Sequence, residues 1–366
     1  MSVQSEIDRI ITAVGNAYSK VSEKGGTVPA SQTVANLSTA IDSIPEGVGL
    51  ELVANVVNGA TVTATLGSKT VTGVSVDGQA RLKIPQEGKW TVSATSGAQA
   101  SFPQEIDVSV PATVEFVLPS QELNDTSWAA IKQVSDANMG ANFWSVGDCK
   151  EITMNGKVSD GLTLTNYSAW VYIIGFNHNA EREGNGIAFQ GFKATKNGTP
   201  VCLVDSEDYS YKTSGTWFNM NNTYTNAGGW EACLMRKNIM PLIKAALPFD
   251  LQAVIKPSTI FTTQGEGNGD CTATQDDVFL LAEYEIFGKY VFASYKEPRY
   301  LKQYAYYAAG NSKVKYIHNA TTTSFTWWER SSYSDGSDMF CCVDNIGSAY
   351  EFEAFYSFGV SPAFKV

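Results

Sequence analysis

The stretch that decides the fold lies between residues 327 and 364. It contains Trp327-Trp-Glu-Arg-Ser331, Phe340-Cys-Cys-Val343 and Gly359-Val-Ser-Pro-Ala-Phe364. These segments form an apolar framework, and the varied side chains between them lack the period of 3.6 or 2 that a regular helix or strand shows. Such a pattern is typical of a rigid scaffold that presents a binding surface. We therefore expect both tryptophans to be buried and the intervening residues to face a ligand.

The composition limits the class of protein. A chain of 366 residues predicts two or three domains, and a hydrophobic content of 43% is enough for packed cores. The net charge of −11 disfavours binding to nucleic acid or to anionic membranes. The longest apolar runs are too short for a membrane span, so we expect no membrane insertion.

The chemistry-bearing residues predict neither a metal site nor a cofactor. The six cysteines lack a Cys-x-x-Cys spacing, and we expect buried free thiols. The two histidines, His178 and His318, have no nucleophile motif beside them and are predicted to be structural hydrogen-bonding groups. Acidic segments at 205–208 and 266–270 offer oxygen ligands for calcium but lack the EF-hand spacing, so we interpret them as solvated loops.

Residues 1–46 are predicted to be a helical attachment or oligomerisation segment. Ile7, Ile11, Val14, Tyr18 and Val21 follow a 4-3 spacing, which is that of a heptad seam. The alternative is an amphipathic helix that packs on its own chain. The first residues have neither a basic nor an apolar region, so we expect no signal peptide.

Residues 50–119 are predicted to be an all-β spacer. Alternating apolar residues and the dipeptide Asp77-Gly78, a type I′ hairpin signal, indicate short antiparallel strands. The module resembles Ig-like β-sandwich domains of surface and tail proteins. Pro119-Ser-Gln121 is the predicted boundary.

Residues 122–366 are predicted to form one α+β domain. We expect helices over 128–139 and 230–246, a hairpin over 149–165 and a buried strand over 171–175. Two short helices and many irregular strands suit a fold in which long loops carry the function.

This domain resembles a known bacterial and phage family. The resemblance rests on Trp128-x-x-Ile131, Trp144-x-x-Gly-Asp148, Leu280-Ala-Glu-x-Glu-Ile-Phe-Gly288 and the three framework segments. They are similar to the C-type-lectin-like fold of the formylglycine-generating-enzyme type. Similar domains occur in the variable proteins of diversity-generating retroelements, which include the phage major tropism determinant. The first 45 residues resemble the N-termini of phage tail proteins from Gram-positive hosts. The resemblance implies a receptor-binding scaffold that tolerates variation at its C-terminal surface.

The same resemblance implies which residues vary. Retroelement mutation at template adenines turns an AAC or AAT codon into codons for residues such as Asn, Asp, Tyr, Ser, Ile, Phe and Cys. The positions that carry such residues, and that we predict to face a ligand, are Tyr333, Asp335, Asp338, Cys342, Asp344, Asn345, Ile346, Ser348, Tyr350, Phe352, Phe355, Tyr356 and Phe358. Tyrosine and phenylalanine provide large contact areas at low entropic cost, as recognition surfaces require.

The sequence therefore predicts a non-enzymatic receptor-binding protein of a phage tail or a prophage. It would reside in the virion, attach to the tail or baseplate through its N-terminus, form a homotrimer, and bind a protein or glycan on the host cell. Two alternatives stay open. One is a tail-borne enzyme that acts on cell-surface glycan, because the separation of two carboxylates cannot be seen in a sequence. The other is a structural tail component whose aromatic face packs against a neighbour.

Overall fold

The computed structural model describes residues 3–23, 26–43, 50–97, 99–206, 210–266 and 270–366. It contains two compact units, Met1–Leu118 and Pro119–Val366. The chain is multidomain, with short N-terminal helices followed by many strands in several sheets, as predicted. Within the described ranges, no helix has the length and apolar character that crossing a membrane requires.

The first unit begins with two helices, α1 (Val3–Glu23) and α2 (Val34–Asp42). They pack through a small core of Tyr18, Val21 and Ala40. The Tyr18 hydroxyl donates a hydrogen bond of 2.7 Å to the Thr33 carbonyl, so the segment before α2 is also held.

The predicted heptad seam of α1 is divided between two environments. Tyr18 and Val21 face α2, and Val14 packs beside them. Ile7 and Ile11, in contrast, remain 43% and 64% exposed. One half of the seam therefore packs on its own chain, and the other half is uncovered.

From residue 50 on, the part of the first unit that the structure describes contains eight short strands in two sheets. The strands are β1 (Leu50–Asn55), β2 (Thr61–Leu66), β3 (Lys69–Val74), β4 (Gln79–Ile84), β5 (Gly88–Ser96), β6 (Gln99–Ala100), β7 (Gln104–Val108) and β8 (Ala112–Glu115). One sheet has the order β4-β1-β8, and in the other β5 pairs with β2, β6 and β7 while β2 also pairs with β3. Both sheets share one core around Leu52, Val62 and Trp90. The predicted turn is present, because Asp77 and Gly78 both have positive φ, as a type I′ turn requires.

Thirteen strands lie in the described residues of the second unit. They are β9 (Cys149–Lys157), β10 (Thr163–Phe176), β11 (Ile187–Lys193), β12 (Val201–Cys202), β13 (Ser258–Thr263), β14 (Cys271–Asp276), β15 (Val278–Phe279), β16 (Lys315–Ile317), β17 (Ala320–Phe325), β18 (Trp327–Ser332), β19 (Met339–Val343), β20 (Ala349–Glu353) and β21 (Ala363–Lys365). The largest sheet has the order β15-β21-β11-β10-β9, and β18-β19-β20 is a separate antiparallel sheet. Smaller sheets are β12-β16-β17 and β13-β14. The predicted hairpin over 149–165 is formed by β9 and the first residues of β10. The predicted strand over 171–175 lies within β10.

Short helices connect these strands. They are α3 (Trp128–Asp136), α4 (Gly140–Phe143), α5 (Ala180–Glu183), α6 (Gly229–Ala232), α7 (Met240–Ala246), α8 (Phe249–Gln252), α9 (Glu283–Phe287) and α10 (Ala305–Ala308). Ser127 caps α3 by accepting a hydrogen bond from the Ala130 amide. Trp128 in α3 packs edge-on against Phe189 and Phe364, which ties this helix to the middle of the largest sheet.

The prediction of one continuous helix over 230–246 was wrong. The segment is broken into α6, a π-helical turn at Met235–Ile239, and α7. The break occurs because the Leu234 amide bonds to the Met220 carbonyl and to the Asn221 side chain instead of to its own helix. Periodicity shows the apolar face of this segment but not the competing acceptors that end its first turn.

Trp327 and Trp328 are both fully buried, as predicted. The Trp327 indole donates to the Lys313 carbonyl at 3.0 Å, and that of Trp328 donates to the Phe218 carbonyl at 2.9 Å. Since neighbouring residues of a strand point to opposite faces, β18 must be covered on both sides. It is therefore a central element of the second unit.

A buried lysine lies beside this framework. Lys315 in β16 is 1% exposed, and its Nζ donates to the Tyr172 hydroxyl at 2.8 Å. Gln190 Oε1 accepts hydrogen bonds from both Tyr172 and Tyr307. Burial lowers the pKa of Lys315 to about 7, an effect to which Lys193 adds and against which Cys202 acts. The folded protein therefore binds this proton more weakly than the unfolded chain does.

We predict that Lys315→Met stabilises the second unit most at or below pH 7. Between pH 7 and about 10, folding of the wild type releases the Lys315 proton. The free energy of unfolding of the wild type therefore rises with pH over that window, by at most about 1.4 kcal/mol per pH unit. The difference in the free energy of unfolding between the variant and the wild type should therefore become smaller as the pH rises. Urea unfolding at several pH values between 6 and 10 measures the difference. The exposed control Lys237→Met should follow the wild type, and a constant difference between Lys315→Met and wild type would contradict the shift.

Candidate functional site

Most residues predicted to face a ligand lie at the surface of β19, β20 and the adjoining turns. Those that are exposed or half-buried are Tyr333, Asp335, Asp338, Asp344, Asn345, Ile346, Ser348, Tyr350, Phe352, Phe355 and Tyr356. They belong to a single antiparallel sheet with its connecting turns, so the fold brings them together rather than scattering them.

Two predicted residues, Cys342 and Phe358, are fully buried, and the prediction that they face a ligand was wrong. Cys342 lies in β19, the middle strand of its sheet, where it pairs with Trp328 on one side and Tyr350 on the other. Both faces of this strand are covered. The Phe358 ring is 5.0 Å from that of Trp328 and 4.7 Å from that of Phe352, so Phe358 supports the surface from below.

The C-terminal aromatic side chains form one contiguous group. The ring centroids of Tyr350 and Phe352 are 5.2 Å apart, those of Phe352 and Tyr356 are 5.6 Å apart, and those of Phe355 and Tyr356 are 5.3 Å apart. Pairs at these distances stabilise each other's orientation. The rings therefore present a preformed surface rather than independent mobile side chains.

Sequence reasoning missed two aromatic residues that extend this group. Tyr211 lies 5.0 Å from both Phe355 and Tyr356, and Tyr224 lies 5.3 Å from Phe355. They are 65% and 58% exposed. Both occur in a segment rich in Ser, Thr and Asn, and a large ring in such a polar loop was the signal available in the sequence.

A third loop adds Phe292, whose ring lies 6.2 Å from Tyr333 and 6.3 Å from Tyr350. This loop is fixed to the turn after β18, because the Ser334 amide donates to the Phe292 carbonyl at 2.9 Å. We call the combined set the aromatic surface. Its members are Tyr211, Tyr224, Phe292, Tyr333, Tyr350, Phe352, Phe355 and Tyr356.

The hydroxyl groups of Tyr224 and Tyr356 in the aromatic surface have raised pKa values. A hydrogen bond with Asp338 raises the pKa of Tyr224, and one with Tyr211 raises the pKa of Tyr356 to about 12. Asp338 and Glu353 lie close enough for their negative charges to act on Tyr224. Phenolic hydroxyls and carboxylates beside aromatic ring faces suit a polyhydroxylated or cationic ligand.

The loops under the aromatic surface are held by a buried asparagine. Asn226 is fully buried, and its side-chain amide donates to the carbonyls of Gly336 and Met339, both at 2.9 Å. Its side-chain oxygen accepts from the Glu266 amide at 2.8 Å. One side chain therefore fixes the turn between β18 and β19 against a loop far away in the sequence.

The turn between β19 and β20 is shaped locally. The Asp344 carboxylate accepts hydrogen bonds from the Ile346 and Ser348 amides at 3.0 and 2.7 Å. Gly347 has a φ of 88°, which an L-residue adopts only with strain. Ile346 consequently projects from the tip and is 74% exposed.

Charged residues lie inside the core beneath this surface. Arg330 in β18 makes two hydrogen bonds to Glu285 in α9, at 2.6 and 2.7 Å, and both side chains are fully buried. Lys365 forms a second buried ion pair with Glu183 at 2.9 Å. Glu285 and Arg330 lie in segments that carry the family resemblance, whereas Glu183 and Lys365 do not, and the burial of these four charges was not predicted from the sequence.

A third buried carboxylate, Glu283 at the start of α9, holds the loop that carries Phe292. It accepts hydrogen bonds from the amides of Val291, Phe292 and Ala293 at 2.6, 2.9 and 3.0 Å. Three amides fix the orientation of the carboxylate and the path of the loop together. The aromatic surface is thus connected to the charged interior.

The two acidic segments and the two histidines have structural partners. Asp205 is mostly buried rather than solvated, and it accepts hydrogen bonds from the Phe218 amide and the Ser357 hydroxyl. Asp270 pairs with Lys296 at 2.9 Å. Residues 207–209 and 267–269 of these segments lie outside the described residues. His318 accepts from the Val204 amide, as predicted for a structural group, and His178 stacks on Tyr304 with ring centroids 3.6 Å apart.

A family model described as a domain of unknown function (DUF6273) matches residues 201–366. This range includes the whole aromatic surface together with Glu283, Glu285 and Arg330. Neither a curated protein nor a solved structure matches the chain.

We predict that Asn226→Asp loosens the turn between β18 and β19. The substitution keeps the shape but replaces the donating amide by an oxygen that faces two carbonyl groups, and an unpaired buried group is costly. Hydrogen exchange of the Tyr333 amide, which bonds to the Met339 carbonyl, should accelerate on the order of tenfold or more. The exposed control Asn345→Asp introduces the same charge and should leave this exchange unchanged. Equal protection in both variants would show that Asn226 does not hold the turn.

Proposed function

We propose that this chain is a receptor-binding protein of a phage tail or a prophage and that the aromatic surface binds a protein or glycan on the host cell. The observation that carries the proposal is the aromatic surface itself. Tyrosine and phenylalanine from three loops and one sheet form a contiguous partly exposed patch, and such patches on folded proteins mark interaction sites.

The architecture supports the same function. In our proposal residues 122–366 form a C-type-lectin-like domain, residues 50–119 an Ig-like spacer, and the N-terminal helices attach the protein to the tail or baseplate of the virion. The rigid β18-β19-β20 sheet with its varied turn residues is consistent with a scaffold that tolerates changes at its surface.

Binding rather than catalysis is favoured by where the reactive groups lie. Glu283, Glu285 and Glu329 are fully buried, so a substrate in solvent has no access to them. The hydroxyls of Tyr224 and Tyr356 have raised pKa values, and they serve as hydrogen-bond donors rather than nucleophiles.

Diversification by a retroelement is a further part of the proposal. The exposed positions between residues 333 and 356 contribute little to the core, whereas Trp327, Trp328 and Phe340 are fully buried. Variation at the former would change the ligand without unfolding the domain. A reverse-transcriptase gene and a near-repeat of the final coding segment beside the gene would establish this mechanism, and their absence would remove it.

We predict that replacing Tyr211, Tyr224 and Tyr350 together by alanine abolishes binding without unfolding the protein. These three members of the aromatic surface are exposed, so they should contribute about 2 kcal/mol or more each to binding but little to folding. Binding of labelled protein to a panel of Gram-positive bacterial cells and to a glycan array is the measurement, with thermal unfolding recorded in parallel.

The matched control is Phe249→Ala, since Phe249 is 86% exposed in α8 and lies outside the aromatic surface. It should bind like the wild type. Equal binding by the triple variant would exclude the aromatic surface as the ligand face. Release of glycan fragments during incubation would instead favour the enzyme alternative.

The uncovered half of α1 supports self-association. Ile7 and Ile11 of the predicted seam are exposed in the single chain, and so are Val3 and Ile10 on the same helix. A partner of the same chemistry, which is another copy of this chain, would bury them. We propose a homotrimer, because three copies would strengthen weak contacts of the aromatic surface through avidity.

We predict that Ile7→Ser combined with Ile10→Ser converts a trimer into monomers, because it removes the apolar groups that the assembly buries. Size-exclusion chromatography with light scattering on the full chain measures the mass. Val110→Ser, which changes an exposed valine outside the helices, should remain trimeric. A monomeric wild type would remove the role of α1, and a trimeric double variant would place the interface elsewhere.

A further inference from the structure

Three side chains of metal-ligand type meet in the interior of the second unit. They are Glu283 from the first turn of α9, Glu329 from β18 and Cys341 from β19. One ligand atom from each lies within 4.8 Å of those of the other two, and all three residues are buried. Residues from three separate elements converge here, so the arrangement is a product of the tertiary fold.

Glu329 lacks the partners that a buried carboxylate needs. Its side chain is fully buried, and no described residue donates a hydrogen bond to either of its oxygens. Glu297 is also fully buried, and its Oε1 likewise has no hydrogen-bond donor among the described residues. Its Oε2 accepts a hydrogen bond from the Ser331 hydroxyl at 2.8 Å. Burial of an uncompensated carboxylate is strongly destabilising.

Arg330, the cation that adjoins Glu329 in the chain, already has other partners. Arg330 follows Glu329 in the chain, but it points to Glu285 and to the carbonyls of Leu280 and Phe261. No hydrogen bond joins the Arg330 guanidinium to either oxygen of Glu329. The guanidinium group thus neutralises Glu285, and Glu329 requires a different positive partner.

We propose that Glu283, Glu329 and Cys341 bind a divalent transition-metal ion, and that Zn²⁺ is the best match. Two carboxylate oxygens and a thiolate sulfur are a donor set that zinc accepts, whereas the sulfur disfavours Mg²⁺ and Ca²⁺. Bond lengths of about 2.0 to 2.3 Å place tetrahedral ligand atoms roughly 3.3 to 3.8 Å apart, which the observed spacing allows.

Glu283 is prepared for this role. Its Oε1 accepts one hydrogen bond, from the Phe292 amide, and so retains a lone pair for the ion. The Val291 and Ala293 amides bond to Oε2 and orient the group, as outer partners do in metal sites. The ion would therefore hold the loop that carries Phe292. This inference does not depend on what the aromatic surface binds.

The competing occupant is a proton on Glu329. Burial and the charges of Glu283 and Glu297 raise the pKa of Glu329 well above its ordinary value. A proton caps only one of the two orphan oxygens, however, and leaves the other without a donor. Zinc binding would instead release the Glu329 and Cys341 protons to solvent and engage all three side chains.

Metal content and cobalt spectroscopy test the site in the full chain. We expect about one zinc ion per chain after expression with added Zn²⁺. Protein produced with Co²⁺ instead should show a thiolate-to-cobalt absorption band. Glu329→Gln and Cys341→Ser should each reduce the metal to below about a tenth of an ion per chain. The control Cys342→Ser changes the adjacent buried thiol, which lies on the opposite face of β19, and should retain both the ion and the band.

Each result decides between the occupants. If Cys341→Ser fails to fold, the cobalt band of the wild type and of Cys342→Ser still reports a thiolate ligand. A wild type without metal after growth in either ion overturns the proposal, and a Glu329→Gln variant that is as stable as the wild type or more so then identifies a proton as the occupant. Equal metal content in all variants also overturns it, because the ion would then be bound elsewhere.

Discussion

The second unit depends on the buried ion pair between Arg330 and Glu285. Arg330 also donates to the Leu280 and Phe261 carbonyls, while Glu285 accepts from the Ala282 amide, so one pair joins β18, β13 and the start of α9. Burial alone would raise the pKa of Glu285, but the charge and hydrogen bonds of Arg330 bring it below its ordinary value. Removing either partner would leave a buried charge uncompensated, a loss of about 3–5 kcal/mol. This constraint fixes the relative positions of the elements that carry the aromatic surface.

A chain of hydrogen-bonded contacts leads from this ion pair to the aromatic surface. α9 begins at Glu283, whose carboxylate holds the amides of residues 291–293, and this loop presents Phe292. On the other side, β18 leads into the turn that Asn226 fixes from below. The surface residues contribute little to this order, whereas the charges and tryptophans beneath them maintain it. Because the buried residues hold the fold and the surface residues do not, framework segments alternate with chemically varied residues in the sequence.

The sequence predicted features that depend on local chemistry or on size. The Asp77-Gly78 turn follows from backbone preferences, and Trp327 and Trp328 are buried because large apolar rings need a core. Features that arise from tertiary pairing escaped it. Phe358 has the residue type of an exposed anchor but lies under the surface, and Tyr211 reaches Phe355 across more than a hundred residues of chain. No periodicity encodes such distant contacts, so three of the eight members of the aromatic surface, Tyr211, Tyr224 and Phe292, could be assigned only in three dimensions.

The buried carboxylates of the second unit are the feature that the sequence patterns indicate least. Each buried carboxylate needs compensation, and the fold uses a different device for each one: Arg330 for Glu285, Lys365 for Glu183, and three backbone amides for Glu283. Glu329 has none of these among the residues that the structure describes. Whatever neutralises Glu329 must therefore contribute to the stability of β18 and β19 together. Because Glu283 lies beside Glu329 and also holds the Phe292 loop, the group that neutralises Glu329 connects the stability of the domain to the shape of its aromatic surface.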